Sequence, residues 1–212
     1  MKTQPWFAVL AGSICLSCAA APAAEQAAAR PDLGHTARLA MELLQPRTAS
    51  KLRVTSPSFK QDGEIPNDNT QYGKNIFPGL AWSAGPTGTR SYVVFIQGDS
   101  YDGGPITIQF TLFNVPAAIT KLAVGMENPP AGSVYGPNVH GANKPYAGPH
   151  THTGDRHGYH IEVFALDTAL KVPPTASFDA LMAAMTGHVL ASGELVAYTA
   201  KPEGVEYSPN RG

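Results

Sequence analysis

Three segments of this chain are apolar on both sides of an alternating pattern, and that restricts what it can fold into. Ser91 to Gln97 sets Tyr92, Val94 and Ile96 against Val93 and Phe95. Ile106 to Val115 repeats the pattern, and Tyr159 to Leu166 places Tyr159, Ile161 and Val163 on one face with Phe164 and Leu166 on the other. A period of two marks these segments as strands, and strands apolar on both faces belong inside a layered structure.

Shorter runs add to the pattern. Leu52-Arg53-Val54-Thr55, Leu80-Ala81-Trp82 and Glu194 to Thr199 read as further strands. The connections carry much of the chain's 21 glycines and 19 prolines, with turns marked at Gly85-Pro86, Gly103-Gly104-Pro105, Pro129-Pro130, Gly136-Pro137 and Gly148-Pro149. Helical spacing occurs at Thr36 to Leu44, stopped by Pro46. It recurs at Phe178 to Met185, where Ser177 can cap the start, Asp179 favours the dipole and Gly187 ends the helix. The residues therefore predict a mainly β domain with a few peripheral helices.

The N-terminus reads as an export signal, with Lys2 ahead of an apolar run from Trp6 to Ala20 and then Ala21-Pro22-Ala23. The run is too short for a stable membrane span. Cleavage after Ala23 divides the chain into residues 1–23 as signal peptide, 24–48 as a tether with a short helix, 49–205 as one domain, and 206–212 as a tail. The expected location is periplasmic or secreted. Both cysteines, Cys15 and Cys18, lie within the signal, so the mature domain would be stabilised by its core without a disulfide. Acylation of Cys18 is disfavoured because Cys15 stands where a lipoprotein signal has a branched apolar residue. The formal net charge is −1 and no Lys/Arg stripe appears, which argues against nucleic acid as a partner.

Five of the seven histidines fall close together in sequence: His140, His150, His152, His157 and His160. Four of them lie within Gly148 to His160, a Gly/Pro loop that runs into an apolar strand. Imidazoles titrate near neutral pH, donate and accept hydrogen bonds, and bind metals, so the cluster marks a candidate site.

The framework around that loop resembles the phosphatidylethanolamine-binding protein family, specifically its bacterial Raf-kinase-inhibitor-like branch. The resemblance rests on Ser56-Pro57-Ser58-Phe59, Asp62-Gly63, Ile65-Pro66, and Asn75-Ile76-x-Pro78-x-Leu80-x-Trp82-Ser83. It continues through Pro86-x-Gly88-Thr89-x-Ser91-Tyr92, Asn114-Val115-Pro116-Ala117, Tyr146-x-Gly148-Pro149, Gly154-Asp155, His157-x-Tyr159, Ala165-Leu166-Asp167 and Gly187-His188-Val189-Leu190-Ala191. What the resemblance implies is an antiparallel β-sandwich with C-terminal helices and a small anion or phospho-headgroup pocket at one end.

The family's pocket motifs are rewritten here. Its Asp-Pro-Asp positions fall on Gly98, Asp99 and Ser100, and its His-Trp pair on Gln109-Phe110. In its Gly-Pro-x-Pro-Pro loop the variable residue and two prolines become His150, Thr151 and His152. Its His-Arg-Tyr becomes His157-Gly158-Tyr159. The candidate ligand-binding set is therefore Asp99, Tyr101, Asp102, Gln109, His150, His152, His157 and Tyr159, facing a small polar or anionic ligand of altered specificity.

Two further readings stay open at this stage. His157, Tyr159 and Asp99 offer the acid/base groups of an isomerase or lyase, although no nucleophile is apparent. His150, His152 and His157 offer three ligands for a divalent transition metal, although the spacing matches no established zinc signature and no cofactor is the preferred reading. A role as an inhibitor of a cytosolic kinase fits poorly with export. Outside the set, His160 and His188 are read as structural, Trp82 as core, and Asp62 and Asn75 as turn residues. Oligomeric state is not legible in the sequence.

Overall fold

The computed structural model describes Met1 and residues 33–100, 103–151 and 154–205. Apart from Met1, the signal peptide expected at 1–23 lies outside the described residues, as does the tail at 206–212.

The long strands are β4 (Ser91–Gly98), β5 (Ile106–Pro116), β8 (His157–Leu166) and β9 (Val189–Thr199). They pair antiparallel in the order β5-β4-β8-β9, and β1 (His35–Thr36) and β7 (Val134–Tyr135) both add to β5. A second sheet holds β2 (Val54–Thr55), β3 (Leu80–Trp82) and β6 (Lys121–Leu122), also antiparallel. Among the described residues the fold is thus two antiparallel sheets with two short helices, α1 (Ala40–Leu43) and α2 (Phe178–Met185).

The double-sided strands now have a physical reason. On the inner face of the large sheet, Tyr92, Val94, Ile96, Phe110, Leu112, Ile161 and Val163 pack with Val54, Leu80, Trp82 and Leu122 of the small sheet. On the outer face, Val93, Phe95, Phe113, Phe164 and Leu166 pack with Ala40 and Leu44 and with Phe178, Leu181, Met182 and Met185 of α2. The central sheet is the middle of three layers, so alternation of apolar and polar residues would have exposed one of its two cores.

The sequence-predicted elements differ from the observed ones where side-chain pattern alone does not decide the backbone. Phe178–Met185 is helical and capped as expected, with Ser177 Oγ accepting from Ala180 N at 3.2 Å. The helix expected over Thr36 to Leu44 is reduced to one turn, because His35 and Thr36 pair with Thr107 and Ile106. The last strand begins at Val189 rather than Glu194. Its Ala191-Ser192-Gly193 stretch gives no apolar signal, yet Gly193 lets the Leu52 backbone press against it.

Two bulges shape β5. Between the pairs Ile96↔Phe110 and Gln97↔Ile108, Gln109 is an extra residue, and between Tyr92↔Val115 and Val94↔Leu112 the extra residue falls at Phe113-Asn114. Asn114 takes φ 58°, and its side chain accepts from Leu170 N at 2.7 Å and donates to Leu170 O at 3.0 Å. The exposed edge of β9 is covered by residues 51–65, through Leu52 N to Ser192 O, Asp62 N to Val196 O and Ile65 N to Tyr198 O.

Candidate functional site

The loop after Tyr146 is fixed before any of its histidines is reached. Tyr146 is buried and donates its hydroxyl to Asn69 O at 2.7 Å, and Ala147 N donates to Gln109 O at 2.9 Å. Gly148 N donates to Asn75 Oδ1 at 2.6 Å, and Gln71 Nε2 donates to Gly148 O at 2.7 Å. A Cβ at Gly148 would stand 2.6 Å from Asn75 Oδ1 and 2.8 Å from Asn69 O, so the close approach requires glycine. Tyr72 then donates its hydroxyl to Thr151 O.

That loop delivers His150 to an aromatic corner. Its ring meets Tyr72 edge-on, with centroids 5.1 Å apart and planes at 64°. The Tyr159 hydroxyl, rising from the inner face of β8, is hydrogen-bonded to the His150 backbone. Burial pushes the Tyr159 and Tyr146 phenols well above their ordinary range, and each stays protonated at any physiological pH. Tyr72 shifts the same way, again by burial. Behind them runs a ladder of rings, Phe77 to Phe110 at 4.9 Å and Phe77 to Tyr146 at 5.5 Å, which ties the corner to the inner core.

Gln109 is placed by its bulge, a device often found beside functional sites. With its carboxamide oxygen toward Thr107 Oγ1 at 2.9 Å, its nitrogen donates to Ala147 O at 2.8 Å and Gly148 O at 3.2 Å. It is buried, and its bonds hold the loop. His157 opens β8 on the same face as Tyr159 and is half-buried. Just before it, Arg156 bonds Glu64 at 2.7 Å and Asp62 O at 2.9 Å, with its guanidinium 3.8 Å from the Tyr198 ring centre. These contacts pin the start of β8, and with it the position of His157.

Asp99 turns the other way. Its Oδ1 pairs with His160 Nε2 at 2.9 Å and its Oδ2 accepts from Gly158 N at 3.2 Å. His160 lies on the outer face of β8, and its Nδ1 meets Glu194 Oε1 at 2.6 Å. Burial opposes the imidazolium, but the two carboxylates outweigh it and raise His160 to about 10. The hydrogen bond from His160 in turn holds the Asp99 carboxyl below its ordinary value, against a smaller opposing effect of burial. The rewritten positions are mutually dependent. A Cβ at Gly158 would collide with the Asp99 carboxylate, and one at Gly98 would stand 2.8 Å from the Tyr159 ring.

The structure therefore joins His150 with Tyr159, sets Gln109 beneath their loop, and commits Asp99 to the opposite side of the sheet. Tyr101, Asp102 and His152 lie outside the described residues. Among the described residues no three His, Cys, Asp or Glu side chains stand together as a metal-holding group. Sequence reasoning missed Tyr72, Gln71, Asn69 and Arg156. Only Tyr72, an aromatic residue in a Gly/Asn-rich turn, gave any local signal. Asn75 has the positive φ of a turn residue, 55°, and also receives Gly148 N, so turn chemistry and loop anchoring coincide in one side chain. His188 bridges elements, pairing with Asp167 at 2.7 Å beside Arg47.

Comparison with known proteins gives the same answer from three directions. The family model described as phosphatidylethanolamine-binding protein matches residues 55–200. A UPF0098 protein of Methanothermobacter thermautotrophicus is 32% identical over 148 residues, which is 68% of this chain and 96% of that protein. The crystal structure of Escherichia coli YbcL, described as a new member of the mammalian PEBP family, superposes with a TM-score of 0.64 at 26% identity, covering 72% of this chain and all of that one. The phosphatidylethanolamine-binding protein homologue CT736 from Chlamydia trachomatis gives the same TM-score and identity over 73% of this chain and all of its own. The family model's match over residues 55–200 and the identity to the Methanothermobacter relative place this chain in the phosphatidylethanolamine-binding protein family.

Proposed function

We propose that this protein is an exported binding protein that takes a small anionic ligand where the Gly148–Thr151 backbone, His150, His157 and Tyr159 converge. The commitment of Asp99 carries the reading. A carboxylate at this strand end would repel an anion, but its two oxygens are engaged by His160 and by Gly158 N. That leaves the imidazoles and the protonated Tyr159 phenol, which can donate hydrogen bonds, on the inner side. The loop that presents them is already ordered by Asn69, Gln71, Asn75 and Gln109, so little conformational entropy remains to be lost on binding. Specificity differs from the rest of the family because His150, Thr151 and His152 replace its variable residue and two prolines.

Titration of the protein with inorganic phosphate and with phosphoethanolamine, followed by calorimetry or by amide shifts, tests the site. Saturable binding that weakens at least tenfold in His157→Gln and Tyr159→Phe, in variants whose melting curves stay cooperative, is expected. Absence of saturation with either probe, or unchanged affinity in both variants, would overturn the reading. Export is tested separately by the mass of protein recovered from the bacterial periplasm. A product lacking residues 1–23, to within a few residues, is expected, and intact chain confined to the cytosol would exclude it.

A further inference from the structure

A strap crosses the outer face of the large sheet from one side to the other. It starts at β5, where Ile108 N donates to Gly34 O at 2.8 Å and His35 and Thr36 pair with the strand. It passes over β4 and β8 at α1, and it ends beyond β9, where Arg47 N donates to Val189 O and Thr48 Oγ1 to Leu190 O. The family model begins at residue 55, so residues 33–48 lie upstream of the shared domain.

The strap is held in an unusual way. Its fully buried apolar side chains are Ala40 and Leu44, while Leu43 is exposed. Its central contacts are polar: Ala40 N donates to Gln97 Oε1 at 2.8 Å and Met41 N to Glu162 Oε1 at 3.1 Å. Glu162 and Gln97 are both 0% exposed, and the remaining atoms of each, Glu162 Oε2 and Gln97 Nε2, are buried with no hydrogen-bond partner. Glu194 stands directly opposite Glu162 across the β8–β9 pair.

We infer that residues 33–48 form a releasable strap, and that a proton on Glu162 keeps it closed over the outer face of the sheet. With the strap down, ionised Glu162 would be a dry carboxylate facing Glu194, relieved by His160 and by the strap amides of Met41 and, more weakly, Ala40. With the strap lifted, water reaches both Glu162 Oε2 and Gln97 Nε2. The closed state therefore prefers the protonated acid, which agrees with burial raising Glu162 to about 8. At the far end of the strap Arg47 pairs with Asp167, whose carboxyl the His188 hydrogen bond holds below its ordinary value. His160, raised to about 10, keeps its charge below that pH, and Asp99, whose carboxyl the His160 hydrogen bond lowers, is already ionised throughout the range in which Glu162 titrates. Arg38 and Glu42 of the strap pair with each other at the surface at 3.2 Å. From α2 the packed residues Phe178, Leu181, Met182 and Met185 are apolar.

Opening releases one proton, so between about pH 5 and pH 7.5 the open fraction rises close to tenfold per pH unit. Native-state hydrogen exchange at the Ala40 and Met41 amides reads this directly, after correction for the intrinsic rate. The expected result is a loss of protection of about two decades across that range. The core amides of Val94 and Ile161 should stay protected, and Glu162→Gln should remove the dependence. A flat profile in the wild type, a slope that persists in Glu162→Gln, or loss of protection in the core in parallel would overturn the proposal. Should the variant not fold, the carboxyl carbon of Glu162 followed by NMR in the wild type decides: a midpoint near 8 supports the latch, and one in the ordinary carboxylate range refutes it.

Discussion

Successive residues of β8 teach opposite lessons about burying polar groups. On the inner face Tyr159 buries a phenol, which costs nothing in charge because its neutral form is the ordinary one and its hydroxyl finds the His150 backbone. On the outer face His160 and Glu162 bury groups that carry charge, and each needs a specific neighbour. His160 obtains Asp99 and Glu194, while Glu162 obtains the strap amides and a proton. The inner face thus gives the proposed site a framework whose buried phenols keep their protons at physiological pH. The outer face makes its cover sensitive to pH.

The comparison is tested most severely by removing one large ring from each core. Phe110→Ala and Phe95→Ala should each cost about 3–5 kcal/mol, read by urea denaturation, since both are fully buried among aromatic partners. Equal costs would show that the two layers share the stability of the domain. A cost near zero for Phe95 would mean that the outer layer folds as an accessory.

A backbone change comes next. Gly148→Ala should destabilise by about 1–3 kcal/mol, because the methyl group must displace Asn75 or the Asn69 carbonyl. The same variant should lose ligand affinity, whereas Gly103→Ala, with open space around its Cβ position but a φ of 74°, should cost only about 1 kcal/mol and leave binding unchanged.

Stability should also fall as pH rises, in two windows assigned to the outer face. Glu162 has a folded value near 8 against about 4.5 unfolded, so its contribution is complete below 4.5 and lost by about 8. His160, near 10 folded against about 6.5 unfolded, contributes in full below 6.5 and is lost as pH rises through 10. Its carboxylate partners are partly solvated, so the expected loss is on the order of 1–2 kcal/mol. Thermal melts from pH 5 to 10 should show both windows, with His160→Gln flattening the upper one. A melting temperature that climbs with pH over this range would contradict the assignment.

The smallest change sharpens the contrast between buried and exposed charge. Glu42→Ala removes a surface partner of Arg38 and should shift stability by no more than about 0.5 kcal/mol. A larger effect would mean that the strap depends on its surface charges rather than on Gln97 and Glu162.

Much of the fold was legible because periodicity reports burial. Leu80–Trp82, Ser91–Gly98 and the Ser177-capped helix appear where alternation, apolar runs and capping chemistry placed them. Less of the site was legible. His150 and Tyr159, both in the candidate set, meet through the Tyr159 hydroxyl and the His150 backbone, whereas Asp99 of the same set bonds His160 on the far face. The residues that hold the loop, Asn69, Gln71 and Asn75, are polar residues in a turn, and nothing local distinguishes an anchor from a solvated side chain. Gln109 owes its role to a bulge, and a single extra residue in a ladder leaves no mark on an alternating pattern.

The sequence by itself determined that the central strands lie between two apolar layers, because residues that are apolar on both faces can be hidden only there. It also determined the family, through many short motifs in order and spacing. Tertiary structure alone decided which of two faces each strand-end polar group joins. That choice depends on whether a neighbouring strand leaves room, as Gly158 does for Asp99, and on which partner can neutralise a buried charge. It also decided that residues 33–48 form a strap rather than a helix on a tether, since their helical spacing lost to amide partners offered by β5, Gln97 and Glu162.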